Sequence, residues 1–359
     1  VKHKNKIPSI VMSFLLLGLS HQSWAQNPPR AGAVIEGSLK GKTLIFTSHG
    51  GIYQAGQMAA LKYFVEKSGV RLIGDGPTEM AKLQAQVASN NVVWDVVDTS
   101  DFAPHVYCGV LFEKLDYSKL DISNLTAGQA APCGVPSMNY GIVLMVKNSS
   151  YPNNPPKNWQ DFFDTANFPG IRGLDDHGEI RGGIIEQAIL AAGGSVENLK
   201  LADIDLGLNK IRQLGADTVF WKTGAESQQL TEAGEVDMIM MWTGRAMAAV
   251  KNGADYSPVW QDWLVVMDYL TIPMNAKNVE GSYALINAYL GKEAQEIMTE
   301  QTAYTPVHKE ARPKLDEMTA TFMVNTPERI KQGYQWNIPF WTEHFQITSE
   351  KWAALAAGY

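Results

Sequence analysis

VDMIMMWTGRAMAAVKNG, residues 236–253, decides the fold. Val236–Trp242 is a short apolar run of strand length, and Ala246–Gly253 reads as a helix stopped by Gly253. A strand delivered straight into a helix is half of a βαβ unit. Working outward, the same alternation returns. WLVVMDYLTIP from Trp263 is a long strand closed by Pro273, and IIEQAILAAGG from Ile184 is a helix closed by glycines. VVWDVV from Val92 is a strand ending in the polar cluster Asp98-Thr99-Ser100-Asp101. KTLIFTS from Lys42 is a buried strand, and Gly50 and Gly51 turn it into a helix with Met58, Leu61, Phe64 and Val65 at helical spacing. Gly69 stops that helix, and Val70–Ile73 is a second strand. This alternation predicts an α/β protein of parallel sheets covered by helices, with ligands beyond the carboxyl ends of the strands.

At roughly 150 residues per domain, 359 residues suggest two domains. The aromatic content of 10% is too high for disorder. With 37 acidic against 30 basic residues the net charge is -7, which argues against a surface that tracks phosphates, so nucleic acid is not expected as a partner.

The beginning of the chain reads as a secretory signal. Lys2, Lys4 and Lys6 precede the apolar run PSIVMSFLLLGLS, and small residues at Ser23 and Ala25 mark cleavage after Ala25. A periplasmic location follows, and loss of three lysines and no acid would take the net charge from -7 to -10. In that oxidising compartment Cys108 and Cys133 are expected to pair, closing a loop that contributes about 3 kcal/mol in the chain-entropy model. The alternative is a nucleophilic cysteine, although no histidine lies at a recognised spacing.

Enzyme signatures are missing. GSLKGKT from Gly37 has three residues between its glycines where a phosphate loop needs four, and it precedes a strand instead of following one. There is no G-x-S-x-G, no H-E-x-x-H and no dinucleotide fingerprint, and the seven histidines have no metal-ligand spacing. No catalytic residue, metal or cofactor is expected.

Three constellations at strand ends carry the functional reading. Ser48-His49-Gly50-Gly51-Ile52-Tyr53 is either an ordinary tight turn or a loop that admits a ligand to free N–H groups at a helix start. In Trp242-Thr243-Gly244-Arg245 a cation meets the positive end of a helix, a cost that a bound carboxylate would relieve. The bland reading is a solvated arginine beside a core tryptophan. Asp268, within VVMDYLTIP, is a carboxylate on an interior strand that needs a partner, either a ligand ammonium or a protein cation such as Arg245. Met238, Met240 and Met241 read as core, and Trp336, Trp341 and Trp352 as helix-packing anchors.

In order along the chain, WDVVDTSDF from Trp94, NWQDFFD from Asn158, FPGIRGL from Phe168, GEVDMIMMWTG from Gly234, MDYLTIPMNAKN from Met267 and YTPV from Tyr304 make a pattern. With it, the chain resembles the periplasmic solute-binding proteins of ABC importers, in the spermidine/putrescine-binding family, from about Thr43 to Trp352. The resemblance implies a type II periplasmic binding fold: two α/β lobes around a hinge, a ligand cleft between them, no catalysis, and delivery of solute to a membrane permease. It places the lobes at 40–137 plus 269–302 and at 138–268 plus 303–359, in a monomer. No adjacent tyrosine pair supports the ferric-binding role also found in this superfamily.

The resemblance also assigns ligand positions. Asp268 matches the family aspartate that takes an amine, Trp242 an aromatic wall, and Ser100 and Phe102 the first-lobe serine and aromatic residue. Val266 stands where polyamine binders carry tryptophan, Gly183 near where some carry glutamate, and Arg245 where they carry a small or acidic residue. A fixed cation repels a polycation and attracts a carboxylate. The branch with W-x-G-R and the glycine turn includes binders of 4-aminobutyrate-type ligands. An ω-amino acid or related zwitterion is therefore expected, with a polyamine as the alternative and a cleft-cysteine enzyme as the reading from another class.

Overall fold

In the computed structural model residues 1, 28–100, 102–126, 128–176 and 182–358 are described. The expected secretory segment, residues 1–25, lies outside them apart from residue 1. Among the described residues ten strands run in chain order: β1 (Thr43–Thr47), β2 (Arg71–Asp75), β3 (Val96–Ser100), β4 (Val135–Lys147), β5 (Arg172–Asp175), β6 (Thr218–Trp221), β7 (Met238–Trp242), β8 (Tyr256–Thr271), β9 (Thr305–Pro306) and β10 (Gly333–Gln335). They form one sheet in the order β2-β1-β3-β8-β4-β7-β5-β6, with β9 paired to β4 and β10 to β8.

The expectation of uniformly parallel sheets is corrected in the middle. The flanks β2-β1-β3 and β7-β5-β6 are parallel, but β8 runs antiparallel to β3 and β4, and β4 antiparallel to β7. Two long strands make up this middle. β4 has 13 residues and β8 has 16, and at about 3.3 Å per residue each spans roughly 40–50 Å. The C-terminal end of β8 pairs with β3 through Val97↔Thr271 to Ser100↔Asp268, while the C-terminal half of β4 pairs with β7 through Ile142↔Trp242 to Val146↔Met238. The two long strands thus cross from one parallel flank to the other. Their mutual pairing shifts register between Pro136 and Met138 and between Ile142 and Leu144, either side of Tyr140.

Element boundaries differ from the sequence reading for local reasons. β3 begins at Val96 and not at Val92, because the Asp95 side chain takes over the ladder: its Oδ2 accepts the Ile45 N–H at 2.8 Å and its Oδ1 an Asn278 amide N–H at 2.9 Å. The first helix breaks at Leu61 into Gly51–Ala60 and Lys62–Ser68, and Gly69 ends it at φ 76°, as expected of a left-handed cap. The helix after β7 begins at Thr243, which puts Arg245 in its first turn.

Met238, Met240 and Met241 are buried in the main core, as are Trp341 and Trp352. Cys108 and Cys133 are bonded to each other with their Cα atoms 5.3 Å apart, so neither offers a free thiol and the cleft-cysteine reading loses its nucleophile. No helix among the described residues is long and apolar enough to cross a membrane.

Candidate functional site

Strand alternation gives β8 two faces. Val265, Met267 and Tyr269 line a broad cavity of about 1190 Å³ on one of them. Val266 faces the other way, into a cavity of about 420 Å³ that lies among the ends of β3, β7 and the crossing strands. His49, Thr99, Ser100, Phe102, Tyr140, Gly183, Gly224, Trp242 and Trp336 also line this second cavity. Its volume is within the range of small-molecule sites.

Behind its wall lie two buried carboxyls. Ser100 pairs in register with Asp268, so β3 and β8 bring Asp98 and Asp268 to the same region. Asp98 is fully enclosed: Gln57 donates to its Oδ2 at 2.6 Å, Ser137 donates to the same oxygen at 3.1 Å, and the Tyr53 hydroxyl lies 3.3 Å from both oxygens. Tyr140 donates to Asp268 at 3.2 Å. His49 Nε2 stands 3.8 Å from Asp98 and 3.9 Å from Asp268. One ligand atom from each of these three residues lies within 4.8 Å of the others, a spacing suited to a small cation. Burial pushes Asp268 up to about 7, against the opposing Tyr53 and Tyr140 hydroxyls. Burial, and then the neighbouring Asp268, push Asp98 well above the carboxylate range. Burial, followed by the charge of Arg245, lowers His49 to about 4. At neutral pH the imidazole is therefore uncharged, and the two carboxyls titrate as one unit that resists carrying two negative charges.

On the other side of the His49–Gly51 turn lies a buried cation. Arg245 is 2% exposed; its Nη2 donates to the Gly50 carbonyl at 3.0 Å and its Nη1 to Gln228 at 3.4 Å, while its Nε has no hydrogen-bond partner among the described residues. A Cβ on Gly51 would stand 2.5 Å from Nη1, and one on Gly224 would stand 2.8 Å from Nε. Gly51 opens the helix Gly51–Ala60, Gly224 opens the helix Gly224–Glu232, and Arg245 is in the first turn of Thr243–Lys251. Three positive helix ends thus converge on a guanidinium, each disfavouring it by some tenths of a kcal/mol and all favouring an anion. No ion pair within 4.0 Å joins Arg245 to Asp268. The candidate protein-cation partner of Asp268 is thus engaged elsewhere.

The residues singled out in the sequence take three kinds of place. Ser100, Phe102 and Trp242 line the cavity. Tyr53, Arg245 and Asp268 are buried just behind that lining. Ser48 and the two glycines act from further back. The Ser48 hydroxyl donates to Gln57 Oε1, which turns the Gln57 amide N–H toward Asp98. Gly50 and Gly51, at φ 71° and 54°, shape the turn against Arg245. In the sequence His49 stands only as part of a turn and Asp98 only as part of a polar cluster, neither with a ligand role of its own; Asp98 is findable by the argument used for Asp268, since it too is a carboxylate in an apolar strand. Trp336, read as a packing anchor, packs against the main core and also borders both cavities, with its ring 5.4 Å from that of Phe102. Tyr53 and Tyr140 are distant in sequence from Tyr304, yet their ring centres lie 5.0 and 5.1 Å from its own, edge-on and tilted. Burial raises Tyr53 and Tyr304 above the ordinary phenol range, so these hydroxyls stay protonated.

Comparison with known proteins agrees with this architecture. The γ-aminobutyric acid-binding protein of Pseudomonas aeruginosa is 29% identical over 88% of this chain and 91% of its own length. The spermidine/putrescine-binding periplasmic protein of Escherichia coli is 25% identical over 76% of this chain and 81% of its own. Among solved structures, that of the Atu4243-GABA receptor superposes with a TM-score of 0.77 at 32% identity, covering 88% of this chain and 97% of that one. These neighbours share the type II periplasmic binding fold. The model of the bacterial extracellular solute-binding protein family matches residues 39–323, and the chain belongs to that family.

Proposed function

We propose that this protein captures an ω-amino acid of the 4-aminobutyrate class in the periplasm and delivers it, as a monomer, to an ABC permease. A leader cleaved after Ala25 would send it there. Its lobes are residues 40–137 plus 269–302 and 138–268 plus 303–359, hinged at β4 and β8, and ligand favours closure because it touches both walls. One observation carries the ligand class. A partly unsatisfied buried guanidinium at three helix starts and a pair of buried carboxyls lie on either side of one short turn, which borders the cavity. The ammonium sits toward Asp98 and Asp268, the carboxylate toward Arg245, and Trp242 and Phe102 wall the methylene chain between them. An ammonium suits the Asp98–Asp268 pair better than a metal ion does. Asp98 Oδ2 already accepts from Gln57 and Ser137, and the remaining oxygens accept hydrogen bonds without giving up those donors. The relative named for γ-aminobutyric acid supports this class, and the one named for spermidine and putrescine supports an amine-bearing solute.

The polyamine reading has an observation of its own: Glu79, Asp175 and Asp176 line the same cavity, which would suit a second ammonium group. A thermal-shift and calorimetric screen separates the two. The amino-acid reading expects a response to 4-aminobutyrate and its near homologues and none to butyrate; at 100 times the dissociation constant the gain is about 2.7 kcal/mol. A response to putrescine or spermidine with none to 4-aminobutyrate would overturn it.

A further inference from the structure

We infer that Gly51 and Gly224 are specificity determinants: together they form the seat that holds the Arg245 guanidinium where a ligand carboxylate can reach it. This rests on the amino-acid reading above and goes beyond it, since neither glycine needs to touch the ligand to act. The geometry is a sandwich. A Cβ at residue 51 would lie 2.5 Å from Nη1, 2.7 Å from Nη2 and 3.0 Å from Cζ of Arg245. A Cβ at residue 224 would lie 2.8 Å from Nε and 2.7 Å from Cζ3 of Trp242. Such distances are closer than carbon can approach nitrogen or carbon without a shift, and the part free to move is the end of the long arginine side chain.

The two glycines come from opposite parallel flanks of the sheet. Gly51 follows β1, whereas Gly224 and Gln228 follow β6. The guanidinium therefore bridges the flanks at the edge of the cavity, and its contact with the Gly50 carbonyl fixes it from one side while Gln228 fixes it from the other. A methyl group on Gly51 meets the guanidinium and expels it from this seat, while one on Gly224 presses on the guanidinium and on the Trp242 indole together. The carboxylate then loses its partner, while Asp98, Asp268 and His49, beyond the turn, keep theirs. The seat thus sets the preference for acid-bearing over acid-free amines, and a sequence search for receptors of this type would look for both glycines alongside the arginine.

The test uses the full-length protein with Gly224→Ala, Gly51→Ala and Arg245→Ala, measuring 4-aminobutyrate by calorimetry and butylamine by thermal shift at millimolar concentration. Gly51 has φ 54°, which strains any side chain there, so the deciding measurement is made on whichever glycine variant keeps the native circular-dichroism spectrum. The expected result is a loss of at least thirtyfold in 4-aminobutyrate affinity with the butylamine response kept. Retention of 4-aminobutyrate affinity within threefold, or loss of both responses together, overturns the seat. The underlying reading fails separately: wild type that does not distinguish 4-aminobutyrate from butylamine, or Arg245→Ala that binds both as wild type does, overturns that reading and not merely the seat.

Discussion

Arg245→Met should make the empty protein no less stable while removing its acid recognition. Among the described residues the guanidinium is buried, has no acidic partner within 4.0 Å, and leaves its Nε without an acceptor. Desolvating an ion costs several kcal/mol. Against that, the hydrogen bonds to Gly50 at 3.0 Å and to Gln228 at 3.4 Å return about 2 to 3 kcal/mol. Three helix starts add an unfavourable contribution of some tenths of a kcal/mol each. An unbranched methionine fills much of the same space without the charge. The balance predicts a change in ligand-free stability between about zero and 2 kcal/mol in favour of the variant. Binding moves the opposite way. A ligand carboxylate deprived of a paired guanidinium loses roughly 3 to 5 kcal/mol, which is about two to nearly four decades in dissociation constant. Urea unfolding of the ligand-free protein and titration calorimetry with 4-aminobutyrate measure the two quantities on the same sample. A fall of more than about 2 kcal/mol in ligand-free stability would show that Arg245 is a structural residue. Affinity preserved within about fivefold, about 1 kcal/mol, would remove it from the ligand site.

The buried carboxyls Asp268 and Glu186 and the Cys108–Cys133 disulfide give further outcomes. The raised Asp268 makes its ionisation unfavourable in the folded state, so its contribution to stability is present at low pH and declines as pH rises from about 4 to about 7, by up to about 1.4 kcal/mol per unit. His49, lowered to about 4, acts in the opposite sense up to its unfolded value near 6.5, so the difference between wild type and Asp268→Asn isolates the carboxyl; identical pH profiles for the two would refute the assignment. An ammonium that enters this pair should also expel a proton, visible as a calorimetric enthalpy that depends on the buffer. Reducing the Cys108–Cys133 bond should cost about 3 kcal/mol in the chain-entropy model, read as a lower urea midpoint with reductant; an unchanged midpoint would contradict the loop argument. Burial raises Glu186 to about 8 while it accepts the Trp341 indole N–H at 2.5 Å, so Glu186→Gln should change stability by less than about 0.5 kcal/mol at pH 7. Glu186→Ala, which strips the indole of its acceptor and leaves a cavity, should cost about 2 to 4 kcal/mol by the same unfolding measurement.

Much of this architecture is written locally. The run Met238–Trp242 with the helix behind it, the stop at Gly69 and the glycine turn after β1 follow from apolar periodicity and backbone freedom, which act over a few residues. So does the suspicion that falls on Arg245 and Asp268, since a cation at a helix start and a carboxylate in an apolar strand are each anomalous without knowledge of any neighbour. Asp98 satisfies the same criterion. What hid it was the extension of the strand through Ser100, which made an interior residue look like the beginning of a loop.

Other features depended on chain crossings that no local signal encodes. The antiparallel centre arises because β4 and β8 run the length of both flanks, and strand length beyond one lobe is a property of the packed sheet. The triad of His49, Asp98 and Asp268, the tyrosines around Tyr304, and the reach of Trp336 to Phe102 join residues separated by tens to hundreds of positions. The sequence by itself determined the strand-helix alternation, the family resemblance and the two charged residues that do not belong in an apolar setting. Tertiary structure decided what those charges face. Arg245 meets two glycines and a carbonyl instead of Asp268, because electrostatic partners are set by distances across the assembled sheet, and short-range backbone preferences carry no information about them.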